Sequence, residues 1–249
     1  MQPKQPLIAG RFKSLKPLDE GSYGVIYLAM NKDQTLVALK RIRMRNPENG
    51  IDFNTIMEIR QLAELNHPNI IKFVGAYSYQ GSLYIATEYM PTTLHSIITN
   101  PDHTAGYLSP PDIKCIMHGV LSGMAYLHEN YILHRDLKPA NIMISPTGIT
   151  KIIDFGYSTD YPGELGPMLH EAMTIWYRPP ELLFGCTNYG PASDMWSVGC
   201  VFAEMILKHP FLTGNSDFNQ LQLIANVFGN PVWPGCDSLP LFREVTPQS

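Results

Sequence analysis

His134-Arg135-Asp136-Leu137-Lys138-Pro139-Ala140-Asn141, followed thirteen positions later by Asp154-Phe155-Gly156, decides how the rest of the chain is read. Asn141 and Asp154 carry oxygens suited to magnesium, a hard cation that takes carboxylate and carbonyl ligands. Asp136 can accept a hydrogen bond from a hydroxyl group and align it, and Lys138 can stand beside a moving phosphoryl group. Phosphoryl transfer from a nucleotide asks for these supplies together: metal ligands, positive charge and an oriented nucleophile.

Upstream, Val37-Ala38-Leu39-Lys40 falls on an expected strand and Glu58 on an expected helix over 52–65. Residues 24–30, 35–41, 71–77 and 82–88 are rich in Val, Ile, Leu and Tyr and are separated by turn clusters such as Asn31-Lys32-Asp33, which predicts short strands. After Pro91 the pattern turns helical. Ser109-Pro110-Pro111-Asp112 reads as a helix start, with a Ser cap, proline in the first turn and an acid three residues on. Residues 194–207 and 217–228 are further apolar helical stretches. Strands followed by helices predict an α+β chain of two lobes: an extension over 1–10, a small β-rich lobe over 11–90 and a larger helical lobe over 91–249.

Composition fits that reading and excludes others. With 249 residues and 45% apolar side chains the chain can bury substantial cores, so disorder is not its main state. A net charge of −4 offers no general basic field for nucleic acid. No apolar run reaches the length of a membrane span, and residues 1–10 lack the apolar centre of a signal peptide, so an intracellular chain is expected. The four cysteines and eight histidines are scattered without ligand spacing, which argues against a metal cluster or a disulfide framework.

A wheel at about 100° per residue divides the helix at 52–65 into two apolar faces. Glu58, Leu62 and Leu65 lie on one; Phe53, Ile56, Ile59 and Ala63 lie nearly opposite. Either the helix is buried all round or a partner docks on the second face.

In order and in expected structural context, these residues resemble the signature set of protein kinases. Asp19-Glu20-Gly21-Ser22-Tyr23-Gly24-Val25-Ile26, Trp176-Tyr177-Arg178-Pro179-Pro180-Glu181 and Asp194-Met195-Trp196-Ser197-Val198-Gly199 extend the likeness, which runs from about Arg11 to the end of the chain. The resemblance implies a two-lobed kinase fold and use of ATP with Mg2+. It implies that Leu18, Asp19, Gly21 and Gly24 border the nucleotide, with the glycines closing over its phosphates. Lys40, held by Glu58, pairs the phosphates; Ile26, Ala38 and Met143 enclose the adenine. Glu88 and Met90 offer hinge hydrogen bonds and Thr87 is the gatekeeper. Asp136, Lys138 and Thr174 are the catalytic positions, Asn141 and Asp154 the metal positions, and Asp194 braces the His134-Arg135 backbone. Leu62, Phe73, His134 and Phe155 resemble the apolar spine of these enzymes.

Lys138 resembles serine/threonine rather than tyrosine kinases, and Arg178 resembles the arginine that shapes a pocket for proline after the target residue. The segment 50–59 stands where cyclin-dependent kinases carry their cyclin-binding helix, so Phe53, Ile56, Ile59 and Ala63 are expected to face a cyclin-like subunit. Ile132-Leu133-His134, Glu181-Leu182-Leu183-Phe184-Gly185 and Pro210-Phe211-Leu212 look most like the CDK-activating kinase; a MAP kinase lacks support, since no Thr-x-Tyr pair occupies the activation segment. Expected partners are therefore a cyclin-like subunit, Ser/Thr-Pro protein substrates and an assembly factor, with no nucleic acid or membrane, in nucleus or cytoplasm. The alternative is a kinase-fold scaffold that binds without transferring phosphate.

Departures from the pattern sharpen the expectations. Asp19 stands where a glycine is usual, which predicts weakened ATP binding. Leu169 occupies the position of the activating phosphothreonine, and Met57 and Thr159 replace two of the three arginines that would grip its phosphate. An activation segment held by packing is expected, with Asp160, Glu164 or Glu171 pairing the remaining Arg135, or with Ser158 or Thr159 as a substitute acceptor. Ser22 and Tyr23 occupy inhibitory phosphorylation positions. Kinase large lobes carry helices beyond the region matched by 217–228, so Glu181 and the underside of 194–207 are expected to be exposed.

Overall fold

A computed structural model of the chain describes residues 7–21, 24–42, 51–100, 108–161, 168, 173–230 and 233–242. The chain divides into two compact units, Met1–Pro91 and Thr92–Ser249.

The N-terminal unit is a five-stranded antiparallel sheet with one helix. Its strands are β1 (Lys13–Gly21), β2 (Gly24–Met30), β3 (Leu36–Ile42), β4 (Phe73–Tyr79) and β5 (Ser82–Glu88), in the order β1-β2-β3-β5-β4. The helix α1 is Phe53–Glu64, capped by Asp52, whose side chain accepts from the Thr55 amide. Register sorts the side chains. Across β2, β3 and β5, Val37 pairs Ala29 and Leu39 pairs Ala86, and these four pack with Phe12 and Tyr84 into one buried cluster. Because strand residues alternate, the intervening positions share the opposite face. There Ala38 stands across from Thr87, and Lys40 stands between Ile26 and Ile85.

β1 has no counterpart among the strands expected from sequence. It contains Lys13, Lys16, Pro17, Asp19 and Glu20, so it lacks apolar alternation, and two register shifts interrupt its pairing with β2. That is how an edge strand reads: charge and proline discourage further pairing and hide it from a periodicity test. β3 and β4 begin one and two residues later than expected, at Leu36 and Phe73.

The C-terminal unit is mainly helical: α2 (Leu94–Thr99), α3 (Pro110–Glu129), α4 (Pro180–Leu183), α5 (Pro191–Leu207) and α6 (Asp217–Phe228). One short strand precedes α2 and four more lie between α3 and α4. β6 (Thr92–Thr93), β8 (Ile142–Ile144) and β9 (Thr150–Ile152) form one sheet, and β7 (Ile132–Leu133) pairs β10 (Thr159–Asp160). The helix start read from Ser109-Pro110-Pro111-Asp112 is present as a reciprocal capping box between Ser109 and Asp112. α5 begins at Pro191, three residues before the expected start, with proline in its first turn where no amide partner is needed. α6 spans the expected residues. Leu183, Phe184, Leu212, Leu221 and Ile224 form a buried core that unites α4 and α6.

Among the described residues no helix is long and apolar enough to cross a membrane, and no group of three His, Cys, Asp or Glu side chains gathers as a metal site. The four cysteines are unpaired.

Candidate active site

In the N-terminal unit, Lys40 Nζ lies 2.8 Å from Glu58 Oε1 and 3.1 Å from Oε2. Lys40 comes from the face of β3 opposite the Phe12 cluster, and Glu58 is buried on α1. Such a pair positions a cation more than it adds stability, because desolvation offsets much of the Coulomb gain. Ile26, Ala38 and Thr87 share the sheet face of Lys40. Asp19 stands directly across from Ile26 on exposed β1, which brings a carboxylate to the same face. Leu18 is exposed on β1, Gly21 closes that strand, and Gly24 is buried with φ 140. The Glu88 amide donates to Lys72 O at 2.9 Å, so a hinge hydrogen bond from Glu88 is left to its carbonyl; Met90 is buried.

α1 resolves the two-faced helix. Glu58, Leu62 and Leu65 are buried, whereas Phe53 and Ile56 are 60% and 49% exposed, with Ala63 exposed and Ile59 half-buried. The reading of a helix buried all round is therefore corrected: its second apolar face is open in this chain.

In the C-terminal unit, the loop after β7 gathers the expected catalytic side chains around Asp136, which is 4% exposed. Asp136 Oδ2 accepts from Lys138 Nζ at 2.7 Å and from Asn141 Nδ2 at 3.1 Å. Its Oδ1 accepts from the Thr174 hydroxyl at 2.7 Å and from the Thr174 amide at 3.2 Å. Lys138 Nζ also reaches Thr174 Oγ1 at 2.9 Å. Asn141 donates further to the Asp136 carbonyl at 2.8 Å, and its own carbonyl accepts from the Ile153 amide, one residue before Asp154. With its amide nitrogen turned to Asp136, Asn141 presents its side-chain oxygen as the acceptor end. Asn141 and Asp154 are thus hard oxygen donors held on adjoining main chain, a set that fits magnesium sharing its coordination with phosphate oxygens. Met143, the third expected neighbour of the adenine, is half-buried on β8.

The loop is held from below. Asp194 is fully buried on α5 and accepts from the His134 and Arg135 amides, each at 2.9 Å; His128 Nε2 lies 2.9 Å from the same carboxylate. His134 Nε2 donates to the Ile153 carbonyl at 3.0 Å and its ring meets Phe155 edge-on at 5.4 Å. Arg135 and Asp154 sit at φ 63 and 64, left-handed conformations that cost about 1 kcal/mol or more each and persist only where the surroundings enforce them.

Arg178 donates through Nε and Nη2 to the Met173 carbonyl, at 3.2 and 2.7 Å, and through Nη1 to Asp217 Oδ1 at 2.9 Å. The sequence signalled Arg178 but not Asp217, which joins it from thirty-nine residues away in the first turn of α6.

Several expectations are corrected. Among the described residues no carboxylate pairs with the Arg135 guanidinium; it donates to the Tyr157 carbonyl at 2.6 Å and to the Tyr189 hydroxyl at 3.1 Å. Ser158 is buried and its hydroxyl donates to the Phe155 carbonyl, which disqualifies it as a ready phosphate acceptor. Glu181 is half-buried rather than exposed, and burial pushes its carboxyl above the ordinary 4.5. The underside of α5 is open as expected at Met195, Phe202 and Ile206. Leu169, Glu164, Glu171, Ser22 and Tyr23 lie outside the described residues.

The protein kinase domain profile matches residues 12–240. Cyclin-dependent kinase D-1 of Arabidopsis thaliana is 39% identical over 247 residues, covering 98% of this chain and 61% of the relative. Cyclin-dependent kinase 7 of Xenopus laevis is 39% identical over 239 residues, covering 93% of this chain and 67% of the relative. Among solved structures, the CAK complex of Chaetomium thermophilum bound to ATP-gamma-S contains a chain with TM-score 0.85 and 37% identity, covering 92% of this chain and 73% of that one. The chain belongs to the protein kinase family and, within it, to the cyclin-dependent kinases. It spans about half to two thirds of the length of the curated relatives it matches.

Proposed function

We propose that the chain is the kinase domain of an ATP-dependent serine/threonine kinase that modifies Ser/Thr-Pro sites and works with a cyclin-like subunit. The observation that carries the reading is the Asp136 network. A buried carboxylate holds a lysine, an asparagine and the hydroxyl of a threonine within 3.1 Å. The Thr174 hydroxyl on Oδ1 marks the direction from which a substrate hydroxyl reaches the same carboxylate, which orients it and accepts its hydrogen bond. Lys138, which donates to the other carboxylate oxygen Oδ2 and to the Thr174 hydroxyl, neutralises charge on the transferring group.

Lys40, fixed by Glu58, serves the nucleotide phosphates, Gly21 and Gly24 allow close backbone approach, and Ile26, Ala38 and Met143 offer apolar contact to the base. Thr87, Glu88 and Met90 border the base, with the Glu88 carbonyl rather than its amide as the polar contact. Asn141 and Asp154 would hold magnesium, which supplies charge neutralisation on the phosphates. Arg178, tied to Met173 and Asp217, supports selection of proline after the target residue. The open face of Phe53, Ile56, Ile59 and Ala63 supports docking of a cyclin-like subunit. An assembly factor and a nuclear location follow from family likeness alone.

A transfer assay on a Ser-Pro peptide, with Asp136→Asn as control and with a cyclin of the CDK-activating type present or absent, tests the reading. Cyclin-stimulated transfer abolished by Asp136→Asn is expected. Nucleotide binding with no Asp136-dependent transfer in either condition would instead make the chain a kinase-fold scaffold.

A further inference from the structure

Arg135 presents a problem that the catalytic network does not solve. It adjoins Asp136, its main chain is left-handed, and its guanidinium has no acidic partner among the described residues. A cation beside the catalytic acid must still be held. Here the holders are neutral: the Tyr157 carbonyl takes Nε and the Tyr189 hydroxyl takes Nη1. Tyr189 is 9% exposed and lies fifty-four residues downstream, just before α5.

A second tyrosine completes the attachment. Tyr161 donates its amide to the Tyr131 carbonyl at 2.9 Å and its hydroxyl to the His128 carbonyl at 3.0 Å, near the end of α3. Burial pushes its phenol upward, and its ring lies 6.0 Å from that of Tyr131. Between the two tyrosine contacts, Thr159 and Asp160 pair with Leu133 and Ile132. The stretch 157–161 is therefore fastened to 128–135 at three points, and none of the acceptors carries a formal charge.

We propose that Tyr189 and Tyr161 are positioning residues that hold Arg135 and the start of the activation segment in their working arrangement without a phosphate. The role of the segment rests on the kinase reading above; the attachment itself does not. Phosphorylation orders a segment by giving arginine a doubly charged acceptor. With neutral oxygens already in place on two of its nitrogens, Arg135 has its orientation before any such modification. The 157–161 attachment then needs no phosphate to form.

The test is amide hydrogen exchange on the full chain, treated with a protein phosphatase and shown by intact mass to be free of phosphate. Wild type, Tyr189→Phe and Tyr161→Phe are compared, alongside turnover wherever Asp136-dependent transfer is obtained. Exchange over 157–161 should be unchanged by the phosphatase and faster by about tenfold in each variant, the size expected for losing one hydrogen bond of moderate strength. Tyr189→Phe should lower kcat by about tenfold while KM for ATP stays within about twofold, a split that general loss of folded protein does not produce. Phosphatase treatment that frees 157–161 or abolishes transfer overturns the inference, as does unchanged exchange in both variants. Absence of transfer from wild type would count against the kinase reading, and the exchange result would still decide the attachment.

Discussion

Tyr177 donates its hydroxyl to Glu204 at 2.6 Å, wholly inside the C-terminal unit, where Glu204 is 1% exposed. Burial pushes the Glu204 carboxyl above its ordinary 4.5, against the opposing pull of Tyr177, His95 and His209. Burial likewise raises the Tyr177 phenol, and it pushes the neighbouring Cys200 thiol up to about 12. An acid whose folded pKa is raised stabilises the fold most below its unfolded pKa, and the benefit is lost as pH climbs through the folded value. The stability advantage of wild type over Glu204→Gln should therefore shrink as pH rises above the ordinary 4.5. Urea unfolding across that range checks it; a constant gap would contradict the shift. Glu181, raised in the same direction, is common to both proteins and cancels in the comparison.

Removal of the central acid should be far more costly than removal of the hydroxyl beside it. Asp136→Asn is expected to lower kcat by about 10³-fold, within the range for a positioned acid or base. Thr174→Ala removes one of the donors to Asp136 Oδ1 and should cost about tenfold. Single-turnover kinetics on a Ser-Pro peptide separate these losses from substrate affinity.

Asp19 shares a sheet face with Ile26 and Lys40. Asp19→Gly takes a negative charge from the side on which Lys40 stands, so KM for ATP should fall by about threefold to tenfold with kcat little changed. An unmoved KM would mean that the carboxylate is turned away from the phosphates.

Specificity at the residue after the target should depend on Arg178. Arg178→Leu keeps an apolar stem but forfeits the bonds to Met173 and Asp217. The ratio of kcat/KM for Ser-Pro over Ser-Ala peptides should drop toward unity, and Asp217→Asn should produce a partial version of the same loss. A folded Arg178→Leu enzyme that keeps its proline preference would remove Arg178 from this role.

The open face of α1 predicts an asymmetry between stability and assembly. Phe53 is 60% exposed, so Phe53→Ser should change unfolding free energy by no more than about 0.5 kcal/mol, as exposed substitutions do. Its affinity for a cyclin-like subunit should nevertheless fall by at least about tenfold, since exposed aromatics anchor interfaces. Calorimetric titration and thermal melting of the same sample test both halves.

How much could be read in advance follows from where the information lies along the chain. β2, β5 and α6 have their expected bounds because each is a continuous apolar pattern bounded by turn residues or caps. The 134–141 loop was readable because its working groups lie within a few residues of one another, so the sequence itself carries their spacing. β1 was not readable, since an edge strand with Pro17 and four charged residues lacks the alternation that periodicity detects. Nor were Asp217, Tyr161 and Tyr189: their contacts join positions thirty or more residues apart, and nothing in a tyrosine's neighbours announces which carbonyl or guanidinium it will meet. Asp160, one of the acids expected beside Arg135, shows the same limit, for charge complementarity suggested a carboxylate where the described residues supply a carbonyl and a phenol.

Asp194 fastens two successive amides of the 134–141 loop to the inside of α5. The loop thus inherits its shape from the hydrophobic interior and, on the proposed kinase reading, would spend little entropy on arrangement when reactants arrive. Catalytic competence and the integrity of that one helix should disappear together on heating, as a single event rather than in stages.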